Sequence, residues 1–337
     1  MSSISVNTIT DASGGATTSI NGFTPTVSNM AGRNRIINGA WQCTQRGDYT
    51  SATSLPTSSA YYLDRFRFRR SGVTGTFTHK LNQTLDNNDV VNTVRLDVTS
   101  TATGNVHVLQ IFEDVNYFKN KTITFSARVK SNSTNARLIL NADGGGGTTS
   151  SSTHTGGGNW ELLTGTATLT SGVTGVQLYA GIQAAGTGDV AGVTSGDFFE
   201  ISEIQVEAGS VATPFEHRQY GQELALCQRY CQVLTYQGYE TLIGVGMCLT
   251  SARILTDVPL KAQMRAQPSC SVVGSVSSIQ NLMAGVGSWY ASSGVSFTPN
   301  PDVVRLDISY PSGYFANGYA AETRIQSGAS IVITAEL

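Results

Sequence analysis

Apolar and polar residues alternate between residue 61 and about residue 206. Phe66 and Phe68 stand opposite Arg65, Arg67 and Arg69; Val94, Leu96 and Val98 follow, then Ile123, Phe125, Ala127 and Val129, then Val176, Leu178, Ala180 and Ile182. A period of two gives each strand one dry face and one wet face. The clusters Asn87-Asn88-Asp89 and Thr103-Gly104-Asn105, and Asn120, supply turns between the runs. That spacing is expected of a sandwich or jelly roll, with two antiparallel sheets sharing one core.

The period changes once. Tyr220, Leu224, Cys227 and Cys231 recur at helical spacing, which predicts one linking helix over 218–234. Its stripe is a candidate oligomer or domain contact: it can pack on the preceding sandwich, on the following domain, or on copies of itself about a symmetry axis. Beyond it, Leu242–Leu249, Ala252–Leu260, Cys270–Val276, Val303–Ile308 and Ser330–Leu337 form a second series of short strands. Pro259, Pro268, Pro299, Pro301 and Pro311 mark their limits, because proline belongs at strand ends and edges. A smaller C-terminal β-sandwich over 235–337 is expected.

Residues 1–32 carry Gly14-Gly15, Thr17-Thr18 and Pro25, with Ile4, Val6, Ile9, Ile20, Phe23 and Val27 among the few, scattered apolar residues. This is too little apolar surface to fold alone. The segment reads as an extended arm that orders on a partner, or as a disordered leader. Gly144–Gly147 and Gly156–Gly158 read as one long flexible loop, since no Lys-Ser/Thr pair and helix follow as a phosphate loop requires. The chain is therefore predicted to be mainly β: an N-terminal extended arm (1–32), a jelly-roll β-sandwich (33–217), one linking helix (218–234) and the C-terminal sandwich (235–337).

Composition agrees. Only 13% of the 337 residues are charged, while Gly numbers 36, a mix that favours turns and strands over helices. With net charge -2 and no Lys/Arg block, a nucleic-acid partner is not expected. Met1–Asn7 has neither a basic start nor an apolar run, and no later stretch reaches membrane-spanning length, so neither a signal peptide nor membrane insertion is expected. Five cysteines in so long a chain read as buried thiols.

Candidate chemistry is sparse. The four histidines, His79, His107, His154 and His217, are far apart and suggest no metal site. His79 and His107 alternate within strands, where surface or edge positions are the default, and His217 fits a structural hydrogen bond. Glu113-Asp114 and Glu200 with Glu203 are the carboxylate pairs a glycoside hydrolase would need. Adjacent residues of a strand face opposite ways, so Glu113 and Asp114 do not share a cleft. Glu200, Glu203 and Glu207 read as exposed strand-edge charges or, less readily, a calcium site. No catalytic residue, metal or cofactor is assigned.

Three stretches carry a resemblance: Met30–Trp41 with Gln45-Arg46-Gly47, Tyr61–Phe66, and Ile204–Arg218. They resemble structural proteins of tailed bacteriophages, especially cyanophage tail-fibre and related virion proteins. The resemblance implies that the first stretch opens a jelly roll similar to carbohydrate-binding modules and the third closes it. Leu224–Tyr230, Pro259–Pro268 and Ala335-Glu336-Leu337 match the usual C-terminal domain of that group. It further implies a homotrimer in the virion, assembled in the host cytoplasm. Residues 1–32, with Ile4, Val6, Ile9, Ile20, Phe23 and Val27, would then attach it to other virion proteins. The expected function is a non-enzymatic short tail fibre for host-surface attachment; a head fibre or capsid-decorating protein is the alternative, and a polysaccharide depolymerase a third. For a host glycan, Trp160, Trp289 and Tyr290 are the candidate contacts, though each also fits a packing role.

Overall fold

The computed structural model describes residues 32–57, 59–238, 241–284, 287–311 and 313–337. The proposed arm residues Ile4, Val6, Ile9, Ile20, Phe23 and Val27 lie outside the described residues. The chain divides into two units at Arg218/Gln219. Both are built of antiparallel strands, and the fold is mainly β with one α-helix among the described residues.

In the first unit, sheet 1 has the order β1 (Thr53–Ser54), β4 (Gly75–Thr84), β5 (Val90–Val98), β13 (Phe198–Ala208), β7 (Thr122–Ser131) and β10 (Trp160–Thr168). Sheet 2 has the order β2 (Ala60–Leu63), β3 (Phe66–Ser71), β6 (Ala102–Ile111), β11 (Gly175–Ile182), β8 (Ala136–Asp143) and β9 (Gly147–Ser150), with β12 (Val190–Val193) also on β6. The chain passes between the sheets from β5 to β6, β7 to β8 and β10 to β11, in jelly-roll fashion. The alternating residues behave as their period requires: Phe66, Phe68, Val94, Leu96, Phe125, Val129, Leu178 and Ile182 all enter one core.

Three local readings change. Thr103-Gly104-Asn105 lies inside β6 rather than in a turn, and a Cβ on Gly104 would come within 2.3 Å of the Ser71 carbonyl oxygen. Its glycine serves close strand approach. Gly144–Gly147 is a tight turn into β9, not the start of a long loop. Arg65 is not on the wet face: it is buried with φ 70°, and its guanidinium donates to the Ile111 carbonyl at 2.9 Å.

The two ends of this unit are fastened to each other. The Asn34 side chain accepts from Ile36 N at 2.9 Å and Val206 N at 3.1 Å, and donates to Ile204 O at 3.0 Å. Glu216 accepts from Gly32 N at 2.6 Å and Asn34 N at 2.7 Å, while Arg33 donates to Pro214 O at 2.6 Å. Arg218 donates to the carbonyls of Ile36 and Asn34. A segment with few apolar side chains is thereby held through its backbone groups, which must be paired when buried.

In the second unit, α1 (Tyr220–Gln228) is followed by β14 (Cys231–Thr235). The helix therefore stops well short of residue 234. Arg229 N–H donates to Ala225 O, Tyr230 N–H to Cys227 O, and Cys231–Thr235 then pairs with β23 (Ala329–Thr334). Ladder pairing overrides the helical spacing, so Cys231 is buried from a strand while Cys227 is buried from the helix. Leu224 is half-buried and Tyr220 is exposed, and the four residues do not make one stripe.

Sheet 3 is β14–β23–β17 (Ser269–Gly274). Sheet 4 runs β19 (Tyr290–Ala291), β18 (Ile279–Met283), β22 (Ala320–Ile325), β15 (Thr241–Thr250), β16 (Arg253–Pro259), β21 (Val303–Ser309) and β20 (Gly294–Pro299). Ile331 and Ile333 of sheet 3 join Ile254, Ile279, Leu306 and Ile308 of sheet 4 in a second sandwich core. Pro259 and Pro299 end β16 and β20 as expected.

Asn34→Ala strips the partners from three buried backbone groups. It is expected to lower the unfolding free energy by about 3 kcal/mol, seen as a reduced urea midpoint with little change in slope; an unchanged midpoint would show that these bonds contribute nothing.

Candidate functional site

The closing strand β13 carries a bulge. Its register against β7 shifts between Ser202 and Gln205, and Glu203 adopts φ 54°. The extra residue lets both Ile201 and Ile204 enter the core and leaves Glu203 on the outer side. Re-aiming a side chain in this way is a recurrent use of bulges. Glu203 lines an open groove of about 490 Å³ with Asn87, Asp89, Ser126, Arg128, Leu162, Ala212, Thr213, Pro214, Phe215 and His217.

Burial raises the Glu203 pKa above the usual carboxylate range; His217 and Arg128 oppose the rise and Asp89 adds to it. Glu203 Oε1 lies 3.9 Å from His217 Nε2, and the His217 ring meets Phe215 edge-on at 4.9 Å. Arg128 also pairs with Asp86. An aromatic face flanked by both donors and acceptors suits a polyhydroxylated ligand. A non-glycine residue in the left-handed region is strained, and such strain concentrates at functional positions.

The candidate glycan residues fall in different units. Trp160 opens the edge strand β10, half-buried and opposite Lys130. Trp289 lies under the Arg324 guanidinium at 3.9 Å, and Tyr290 stacks on the 41% exposed Tyr314 at 4.5 Å. Sequence neighbours Trp289 and Tyr290 thus both lie in the second unit, each against different partners; Trp160 belongs to the first.

The acidic residues read as exposed are otherwise placed. Glu200 is buried, accepting from Thr93 Oγ1 at 2.7 Å, with Lys80 at 3.7 Å and Arg95 at 3.6 Å. Glu207 is buried under Thr213, whose N–H and hydroxyl donate to it at 2.8 and 2.6 Å. Satisfied hydrogen bonding makes these burials tolerable. Glu113 and Asp114 precede a short 3-10 turn that Asp114 caps. Among the described residues no group of three His, Cys, Asp or Glu is placed to hold a metal, and no helix is long and apolar enough to cross a membrane.

A second polar surface had no signal in the linear sequence beyond alternation. Strand register on the outer face of sheet 2 aligns Arg67, Leu109, Tyr179 and Ile139 in one row, and Arg69, His107, Gly181 and Arg137 in the next. His79 and His107, placed by default at the surface, are both buried. His79 contacts the carbonyls of Asp48 and Trp41. His107 has Tyr179 edge-on at 5.1 Å and glycine opposite, where a Cβ would come within 2.6 Å of its own. Burial, then Arg69, pushes the His107 pKa down to about 3.

The protein families and curated proteins supply no match. Among solved structures, the chain is similar to an endo-1,4-β-D-xylanase of Clostridium thermocellum, comprising CBM22-1 and GH10 modules with xylohexaose. The identity is 13% and the TM-score 0.28, over 51% of this chain and 30% of that one. A Paenibacillus cycloisomaltooligosaccharide glucanotransferase with cycloisomaltoheptaose matches at 10% identity and TM-score 0.16, over 85% of this chain and 46% of that one. The chain thus spans less than half the length of either structure. Likenesses this weak leave fold and function to the geometry above.

Glu203→Gly relieves the left-handed strain and is expected to raise the unfolding free energy by about 1 kcal/mol, measured by urea titration; a loss of stability would mean the side chain outweighs its strain. His107 stays neutral in the fold but takes up a proton in the unfolded chain between pH 6.5 and about 3. Unfolding free energy should therefore fall as pH drops through that window, by up to about 1.4 kcal/mol per unit from this group. His79, shifted the same way by burial, adds to the slope. His107→Gln should flatten it; an unaltered slope would exclude His107 as its source.

Proposed function

We propose that the chain is a non-enzymatic structural component of a bacteriophage particle, a short tail fibre held by residues 1–32 and presenting its β units to the host surface. The observation that carries this reading is the fastening of residues 32–38 to 204–218. Two stretches that resemble virion proteins open and close one sandwich, as the resemblance implies. The remaining stretch supports the same reading, since Tyr61–Phe66 forms the β2–β3 edge of sheet 2 around the buried Asp64.

In this reading the protein is a homotrimer in the virion, assembled in the host cytoplasm, and its arm docks on other particle proteins. Host glycan is contacted at the Glu203 groove and at Trp289 and Tyr290. Hydrolysis is not favoured, because Glu200 and Glu203 have different surroundings: one is locked in a buried ion pair, the other lines the groove. The single described α-helix has 9 residues, too short for a fibre shaft, which suits a compact appendage and keeps a head fibre or capsid-decorating protein as the second reading.

Deleting residues 1–32 tests attachment. The truncated chain is expected to fold, with a melting temperature close to that of the full chain, yet to be missing from purified particles; its recovery at normal copy number would overturn the proposal. A density map of the intact particle distinguishes tail from head.

A further inference from the structure

We infer that the outer face of sheet 2 binds a carboxylated saccharide, with Arg67, Arg69 and Arg137 holding its carboxylates over the unpartnered side chains of His107 and Gln183. The inference rests on the host-attachment reading and adds a glycan site distinct from the Glu203 groove and from Trp289 and Tyr290.

Charge placement is the first support. Strand register gathers the three guanidiniums on one face, and among the described residues none of them pairs with a carboxylate. Arg137 Nε donates to a backbone carbonyl at 3.5 Å, and Arg67 lies 5.6 Å from the Tyr61 ring. Other arginines of this chain do pair: Arg253 with Asp307, Arg305 with Asp257, Arg95 with Asp97. Two carboxylates border the face, Asp143 bonded to Asn141 and Asp189 to Asn105 and Ser71, and neither forms an ion pair with the three arginines among the described residues. In a chain of net charge -2, three unneutralised arginines on one face favour an anion, and a guanidinium fork matches a carboxylate.

The second support is independent of charge. His107 and Gln183 are both fully buried, yet neither ring nitrogen of His107 and neither amide atom of Gln183 has a hydrogen-bond partner among the described residues. Buried polar groups are ordinarily paired, and unpaired ones call for a reason. The segment following Gln183 reaches across this end of the face. Ala185 O accepts from Ser150 of β9 at 2.9 Å, and Asp189 joins Asn105 of β6. An amide and an imidazole both donate and accept, as sugar hydroxyls do, whereas a fully ionised oxyanion only accepts.

The full chain is titrated calorimetrically at pH 7 with hexamers of galacturonate and mannuronate, with neutral hexamers of galactose and mannose, and with inorganic phosphate. A uronate hexamer is expected to bind at least tenfold more tightly than its neutral counterpart and than phosphate. The double variant Arg69→Gln/Arg137→Gln, with melting temperature unchanged, should lose at least tenfold in that affinity. The His107 imidazole resonances should shift on saturation, which a diffuse surface attraction would not cause. Equal binding of the neutral hexamer, equal binding of phosphate, an unaffected double variant, or no binding of either uronate would each overturn the inference. Should it fail while the chain lacking residues 1–32 is still lost from particles, the attachment reading stands without this ligand.

Discussion

The hydrogen-bonded fastening of residues 32–38 to residues 204–218 is the constraint on which the first unit depends. It works through backbone groups, so it needs few apolar side chains, and it converts two distant stretches into neighbours. Its consequences reach further along β13. Trp41 Nε1 donates to Ile201 O at 2.9 Å, and a Cβ on Gly39 would lie 2.3 Å from Ile204 O. The incoming chain therefore presses on the strand on both sides of the bulge. Glu203 is turned outward between these two contacts.

Buried polar groups divide into two kinds. Glu200, Glu207 and Asn34 are enclosed but bonded, and their role is to fix strand register and the path of the ends. Removing such a partner exposes the full desolvation penalty of what remains. His107 and Gln183 are enclosed without partners. Single unpartnered atoms occur elsewhere in the same sandwich, at Gln42, Thr78 and Asn105, but His107 and Gln183 leave both of their side-chain polar atoms unpartnered.

The second unit handles polarity differently. Its exposed arginines are tied to aspartates across adjacent strands, Arg305 to Asp257 and Arg253 to Asp307. Such exposed pairs contribute little stability individually, but they neutralise the outer face of sheet 4. Val245 and Met247 are exposed there on β15. The proposed anion-binding face thus belongs to the first unit, and the Tyr290–Tyr314 stack to the second.

Alternation by itself determined the strands that fill both cores, because Phe66, Leu96, Phe125 and Leu178 have only one way to bury themselves at period two. Proline placed the ends of β16 and β20 for the same local reason. Where tertiary contacts compete with local pattern, the sequence misled. Cys231 has helical spacing from Cys227 but is claimed by the ladder to β23, and Gly104 resembles a turn residue but permits close packing on Ser71. The sites were less legible than the fold. That Asn34 meets Val206, that a bulge turns Glu203 outward, and that Arg67, Arg69 and Arg137 share a face are results of register and long-range closure. Those are fixed only when strands far apart in the chain pair, so the tertiary structure decided them.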